Sequence, residues 1–243
     1  MAPSRNVMSS ALFALPFLGY QPVNVSNGEP AITAANLTKQ TILGAPFVWP
    51  WNRTNFTAQI TTTDDAGNPI VPSQDVDVMM PNFGFLEKVW LTDNTGKVTE
   101  IKVKLALSWE SSVQRPASVA AQQIDEDGTV TLRLNAVPNQ AYTLAGCYQK
   151  IPPAISSLAS SWAPIPDQLG YIYEWGFLAF VAMLTKDVRQ PQFMQRFIAH
   201  LLGAQDGLTA TQRNIFVGNF LEVLTEPQRA TAGVQQGQAA RQT

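Results

Sequence analysis

Apolar positions change their period twice along this 243-residue chain. The first stretch is helical in period. Val7, Met8, Leu12 and Leu15 recur at three- and four-residue spacing behind Ser4, a capping residue type, and Gly19 with Pro22 supplies a stop. This predicts an amphipathic first helix whose stripe packs inside the fold. SNGEP then places Pro30 at a helix start, with AITAANLTKQTIL behind it and Gly44 as terminator, and the small Ala31, Ala34 and Ala35 let another helix come close.

From Phe56 to Tyr148 the period becomes two. In TGKVTEIKVKLAL, Ile101, Val103, Leu105 and Leu107 share one face while Glu100, Lys102 and Lys104 share the other. TVTLRLNA turns Val130, Leu132 and Leu134 inward, and AYTLAGCYQ groups Tyr142, Leu144 and Tyr148. DNTG at 93–96 and DEDG at 125–128 are turn sequences, so the region predicts an antiparallel sheet of about five to seven short strands.

After the proline-marked KIPPAISSLASSWAPIPD the helical period returns. DQLGYIYEWGFLAFVAMLTK is apolar on nearly every side from Trp175 to Leu184, the mark of a buried helix, and is far short of the about 20 residues a bilayer span requires. Pro191 opens a helix with a stripe of Phe193, Met194, Phe197, Ile198, Leu201 and Leu202, and Thr209 and Gln212 stand at capping-box spacing in the next. Beyond Pro227 the composition lacks aromatics and acids, which predicts a tail without a core of its own. The expected class is therefore α+β: a helical bundle formed by residues 1–53 and 150–226, an inserted antiparallel β domain over 54–149, and a flexible C-terminal tail, 227–243.

Composition narrows the function classes. Charged residues are only 14% of the chain and the formal net charge is -2, so nothing draws it as a whole to nucleic acid or to an anionic membrane. A surface of neutral polar residues suits extended contact with partners. The single cysteine, Cys147, excludes an internal disulfide and a cysteine-based zinc site and reads as a small buried hydrophobe. Arg5 followed by ALFALPFLGY imitates a signal peptide, but Pro16 interrupts the apolar core and no A-x-A site follows. Without secretion, the glycosylation-type triplets at Asn24, Asn36, Asn52 and Asn55 carry no weight.

Candidate chemistry is thin. The only histidine, His200, borders the apolar stripe of a helix and reads as a packing residue, which removes the usual nucleophile-base pairs. Two-carboxylate hydrolysis is the least excluded enzyme class. Its candidates are Asp75, Asp77, Glu87 and Glu110 in or beside strands and Asp125, Glu126 and Asp127 in a turn; solvated strand and turn surface is the preferred reading. Gly96 and Lys97 lack the upstream glycine of a phosphate loop. No cofactor, metal or enzymatic activity is expected. FVWPWNR, residues 47–53, is the most conspicuous stretch: Trp49 and Trp51 could stack on a sugar or base, yet large aromatics around Pro50 at a change of period are better read as a wedged domain junction, which Trp162 would meet on the return path.

The order of these segments resembles the head-to-tail connector proteins of tailed bacteriophages, the adaptor or tail tubular A-like neck proteins. ALFALPFLGYQPV, the Ala-rich helix, PFVWPWNR, a β insertion, paired helices and a loose tail carry the resemblance over most of the chain, with local support from L-G-Y-Q-P at 18–22 and from Trp51 and Asn52. It implies a structural virion protein of the neck or tail, made in the host cytoplasm. It also implies a homo-oligomeric ring of about twelve copies, joined to the portal above and to a tail or neck protein below, with genomic DNA passing through unread and no membrane involved. The C-terminal tail would dock on the portal through Arg229, Val234 and Arg241. The large sheet departs from mostly helical adaptors and keeps a stopper or terminator open, as well as a carbohydrate-binding or carbohydrate-cleaving particle protein.

Overall fold

A computed structural model describes residues 5–24, 26–63, 66, 70–205 and 207–218. The chain divides into two compact units: Met1–Ile42 with Ile155–Thr243, and Leu43–Ala154.

The first unit holds the helices α1 (Val7–Leu18), α2 (Ala31–Leu43, whose last residue belongs to the second unit), α3 (Gly170–Leu184), α4 (Gln190–Gly203) and α5, whose described part is 210–218. The N-cap of α1 is Asn6, whose side chain accepts from the Ser9 N–H at 2.9 Å, while Gly19 closes the other end at φ 81; the expected cap, Ser4, lies outside the described residues. The buried face of α1 is Val7, Ala11, Ala14 and Leu18. Leu12 and Leu15, expected inside, are 55% and 40% exposed. The physical reason lies in the small residues: the alanines allow a close approach, and the larger leucines are turned outward. The Pro30 carbonyl accepts the first hydrogen bond of α2, and Ala31, Ala34 and Ala35 are fully buried. Helix α3 is buried on most sides, as its composition predicts. At Gly176 a Cβ would lie 2.7 Å from Thr38 of α2 and from Phe197 of α4, so this glycine permits the approach of both neighbours. Thr209 and Gln212 form the reciprocal capping box that opens α5.

Trp162, in the segment before α3, is a core residue of this unit. Its indole N–H donates to the buried Ser10 hydroxyl at 2.9 Å, and its ring stacks on Tyr173 at 4.7 Å, which binds α1 to α3 through a loop. The Arg189 guanidinium donates to the carbonyl of Phe17 at the end of α1 and is held by Asp187. No described helix is long and apolar enough to cross a membrane.

The second unit is a seven-stranded sheet: β1 (Arg53–Ile60), β2 (Asp75–Met79), β3 (Phe83–Asp93), β4 (Val98–Val103), β5 (Ser118–Ile124), β6 (Thr129–Leu134) and β7 (Tyr142–Lys150), in the order β1-β7-β3-β4-β5-β6-β2. All pairs are antiparallel except β4 with β5. The two terminal strands of that order, β1 and β2, come close to each other, so the sheet is barrel-like and nearly closed. Its inner face is Phe56, Ile60, Val89, Leu91, Ile101, Val119, Val130, Leu132, Leu134, Leu144 and Tyr148.

This arrangement corrects the expected class. The chain is a mixed α/β protein built on a nearly closed, seven-stranded mixed sheet with five helices among the described residues, rather than a helical bundle carrying a small antiparallel insertion. The reason is visible at 104–117. Alternation continues in the sequence past Val103, but the strand stops there, Leu105 is fully exposed, and the segment crosses over so that β5 lies parallel to β4. Period alone gives the faces of strands, not their order.

The tightest point of the sheet is Gly146, paired with Phe56 on one side and Val89 on the other. A Cβ there would stand 2.6 Å from a Phe56 ring carbon and 2.7 Å from the Lys88 carbonyl oxygen. Gly146→Ala is expected to cost about 1–3 kcal/mol by overpacking against backbone. A urea titration checks this: the midpoint should fall with the slope unchanged.

Candidate functional site

FVWPWNR resolves into a lock within the β unit. Pro50–Asn52 form one turn of 3-10 helix that runs directly into β1. Trp49 is buried, Trp51 is partly buried, and their rings lie 5.2 Å apart at 32°. The register places Arg53 opposite Gln149 on β7, and Glu87 stands on the next strand, β3. Fully buried Gln149 satisfies its amide in both directions: it accepts from the Trp49 backbone N–H at 3.1 Å and donates to Glu87 at 2.9 Å. Glu87 also takes a bidentate guanidinium from Arg53, the Nε contact at 2.8 Å. Asn52 donates to the Lys150 carbonyl at 2.7 Å. The arginine following the tryptophans is thus consumed in the fold, and one ring of the pair is covered. Neither suits a stacking platform for a ligand. Trp49, Pro50 and Trp51 belong to this β unit, whereas Trp162 belongs to the helical unit and packs there.

The electrostatics follow from the geometry. Burial pushes the Glu87 pKa up, but the hydrogen bonds from Arg53 and Gln149 and the Arg53 charge outweigh it and hold the carboxyl below its usual range. The Cys147 thiol is pushed up, first by burial and then by the Glu87 charge, so it is a poor nucleophile. His200 packs edge-on against Tyr171 and near Trp175, as an aromatic among aromatics.

The remaining carboxylates separate into two groups. Asp125 and Asp127 build the DEDG turn: Asp125 accepts from Gln123 at 2.7 Å, and the Thr129 N–H and hydroxyl hold the Asp127 carboxyl below its usual range. Glu126 is exposed, and so is Glu110, whose backbone N–H donates to Gln74. Asp75 and Asp77, in contrast, stand on one outward face of β2. Both oxygens of Asp75 are taken by Arg133 on β6, at 2.7 and 2.8 Å, and Asp77 accepts from the Thr131 hydroxyl at 2.6 Å. This pairing positions the carboxylates in a fixed row and ties both Asp75 oxygens into an ion pair, which makes Asp75 a poor base or nucleophile while each oxygen can still accept a second hydrogen bond.

Those two residues border a pocket of about 310 Å³ where the ends of β1 and β2 meet. Its polar lining also includes Gln59, Thr61 and Ser73, and its apolar lining is Ile60, Ile70, Val71 and Val76. Beside it, the Arg133 guanidinium carbon lies 5.7 Å from the ring centre of Trp109, which is 61% exposed. Sequence reasoning missed Trp109 because it sits in the irregular crossover, and it missed the Asp75–Arg133 pair because the partners are 58 residues apart. The outward phase of β2 against β6 was the only available signal. Arg229, Val234 and Arg241 lie outside the described residues. Among the described residues no group of three or more His, Cys, Asp or Glu side chains could hold a metal ion. No protein-family model and no curated protein matches the chain.

The Glu87 pairing makes a signed prediction. A carboxyl whose folded pKa lies below its unfolded value contributes stability that is present above the unfolded value, about 4.3, and lost as pH falls through the folded one. Glu87→Gln should therefore lower stability at pH 7 by about 2 kcal/mol, discounted for the 40% exposure of Arg53. Thermal melts of variant and parent should converge as pH drops below about 4. A gap that persists undiminished into acid would mean that packing, not charge, is lost.

Proposed function

We propose that the chain is a structural subunit of a tailed-bacteriophage head-to-tail connector, a ring that joins the portal to the tail and forms part of the DNA channel. The observation that carries this reading is the outer face of α1. The helix has no charged residue from Val7 to Leu18, and it turns Leu12 and Leu15 to solvent beside the partly buried Met8. An apolar stripe on a helix whose other face is already packed is a surface for another chain. In a ring each subunit meets its neighbour through two different patches, and the α1 stripe would supply one of them. The engagement of Glu87, Asp75, Asp77 and Asp127 in fixed structural roles favours a frame over a catalyst. In the connector reading, residues 227–243 dock on the portal, with Arg229, Val234 and Arg241 as anchors.

The test is assembly. Native mass spectrometry of the purified chain, alone and with portal, should show a closed oligomer, and gradient-purified particles should contain the chain and portal in equal copy number. Leu12→Glu with Leu15→Glu should leave the melting curve nearly unchanged, because both positions are exposed, and should abolish the oligomer. An undiminished oligomer in the double variant removes α1 as the interface. Absence of the chain from particles overturns the connector reading itself, and a copy number well below that of the portal assigns it to a stopper or terminator.

A further inference from the structure

The row of carboxylates at the β1/β2 seam has no place in a connector's assembly, and its chemistry is specific. Among the described residues the pocket lining offers Asp75 and Asp77 as acceptors, the Gln59 amide as a donor, since its Oε1 already accepts from the Thr143 hydroxyl at 3.0 Å, and Thr61 and Ser73 as hydroxyls, and it includes no lysine or arginine. An anionic ligand such as phosphate would face Asp77 and Asp75, and the Arg133 guanidinium behind Asp75 is already committed to that carboxylate. A ligand that fits must donate several hydrogen bonds and also cover the apolar surface of Ile60, Ile70, Val71 and Val76. A sugar ring has both properties: hydroxyl donors around its rim and C–H faces above and below.

An independent observation lies next to the pocket. Exposed tryptophan is uncommon because so much apolar area stays in water. Trp109 is nevertheless held in a defined place: Arg133 lies over its ring, and the same guanidinium is fixed by two hydrogen bonds to Asp75 in the pocket wall. The Glu110 N–H, one residue on, is anchored to the buried Gln74. The aromatic surface is thus preorganised at the end of a Trp109–Arg133–Asp75 chain, and preorganisation is what raises affinity in a shallow site.

We infer that the seam binds a neutral oligosaccharide, one ring hydrogen-bonded in the pocket to Asp77, Asp75 and Gln59 and an adjoining ring stacked on Trp109. A basic peptide is the competing occupant, but Arg133 already neutralises Asp75, which leaves Asp77 alone to attract it.

The experiment uses the intact chain with maltohexaose, cellohexaose, chitohexaose and dextran as probes, read by tryptophan fluorescence and by calorimetry, with hexalysine as the cationic control. At least one glycan should bind saturably with a dissociation constant near or below about 1 mM, unaffected by high salt. Trp109→Ala should weaken that binding about tenfold or more and Asp77→Asn several-fold, while Trp51→Phe, in the buried lock, should leave it intact. Circular dichroism of the Trp109 variant should match the parent, since the side chain is exposed. The proposal is overturned by no saturable response to any glycan of the panel, by binding equal in the Trp109 and Asp77 variants and the parent, or by salt-sensitive binding of hexalysine alone.

Discussion

One buried amide organises the β unit. Gln149 sits on β7, between β1 and β3, with no exposure to solvent. Burying an amide without partners costs roughly 1–3 kcal/mol in proteins, so the position is tolerable only because both of its ends are used. One end fixes the backbone of Trp49 and thereby the path by which the chain enters β1. The other orients Glu87, which in turn holds Arg53 at the first residue of that strand. The tryptophans therefore owe their placement to a polar contact as much as to their own area. FVWPWNR is conspicuous in sequence for its rings, yet the element that decides its geometry is a glutamine about a hundred residues away.

Much of the β unit could be read from period. Val130, Leu132 and Leu134 are fully buried and Tyr142, Leu144 and Tyr148 nearly so, as their alternation requires, and Gly96 and Gly128 take the positive φ that the DNTG and DEDG turns demand. What could not be read is which strands lie side by side. Alternation assigns each residue to a face and is indifferent to the neighbour across the ladder, so the parallel β4/β5 pair and the near-closure of β1 toward β2 left no local trace. The crossover 104–117 shows the limit: Val103, Leu105 and Leu107 keep the phase of Ile101 in the sequence, but Ile101 alone of the four is buried, Val103 at the strand end is already exposed, and beyond it the backbone leaves the sheet.

The helices failed and succeeded for a different reason. In α3, where nearly every position is apolar, burial does not depend on choosing a face, and the expectation of a buried helix held. In α1 the choice mattered. Size was the misleading cue: leucines suggested the core, while the structure packs the alanines and Ser10, whose hydroxyl meets the Trp162 indole. A helix that is apolar all round offers no polar face to mark the outside. That ambiguity is itself informative, because a helix of an isolated monomer normally resolves it with charges, and α1 has none. For the site, the sequence listed Asp75 and Asp77 among scattered acids. Only the β2/β6 register brought Arg133 to one of them and, through Arg133, Trp109.

The two units hold their polar burial separately, and this has a consequence for how the protein can work. The Trp162–Ser10 bond and its stack on Tyr173 lie within the helical unit, and the Gln149–Glu87–Arg53 network lies within the sheet. Neither network shares a residue with the other. Free-energy changes at sites without common partners add, whereas those inside one network do not. The outer stripe of α1 lies in the helical unit and the seam beside Trp109 in the sheet unit. Leu12 is exposed on the helical unit and Asp77 on the sheet unit, so the effects of substitutions at the two should add.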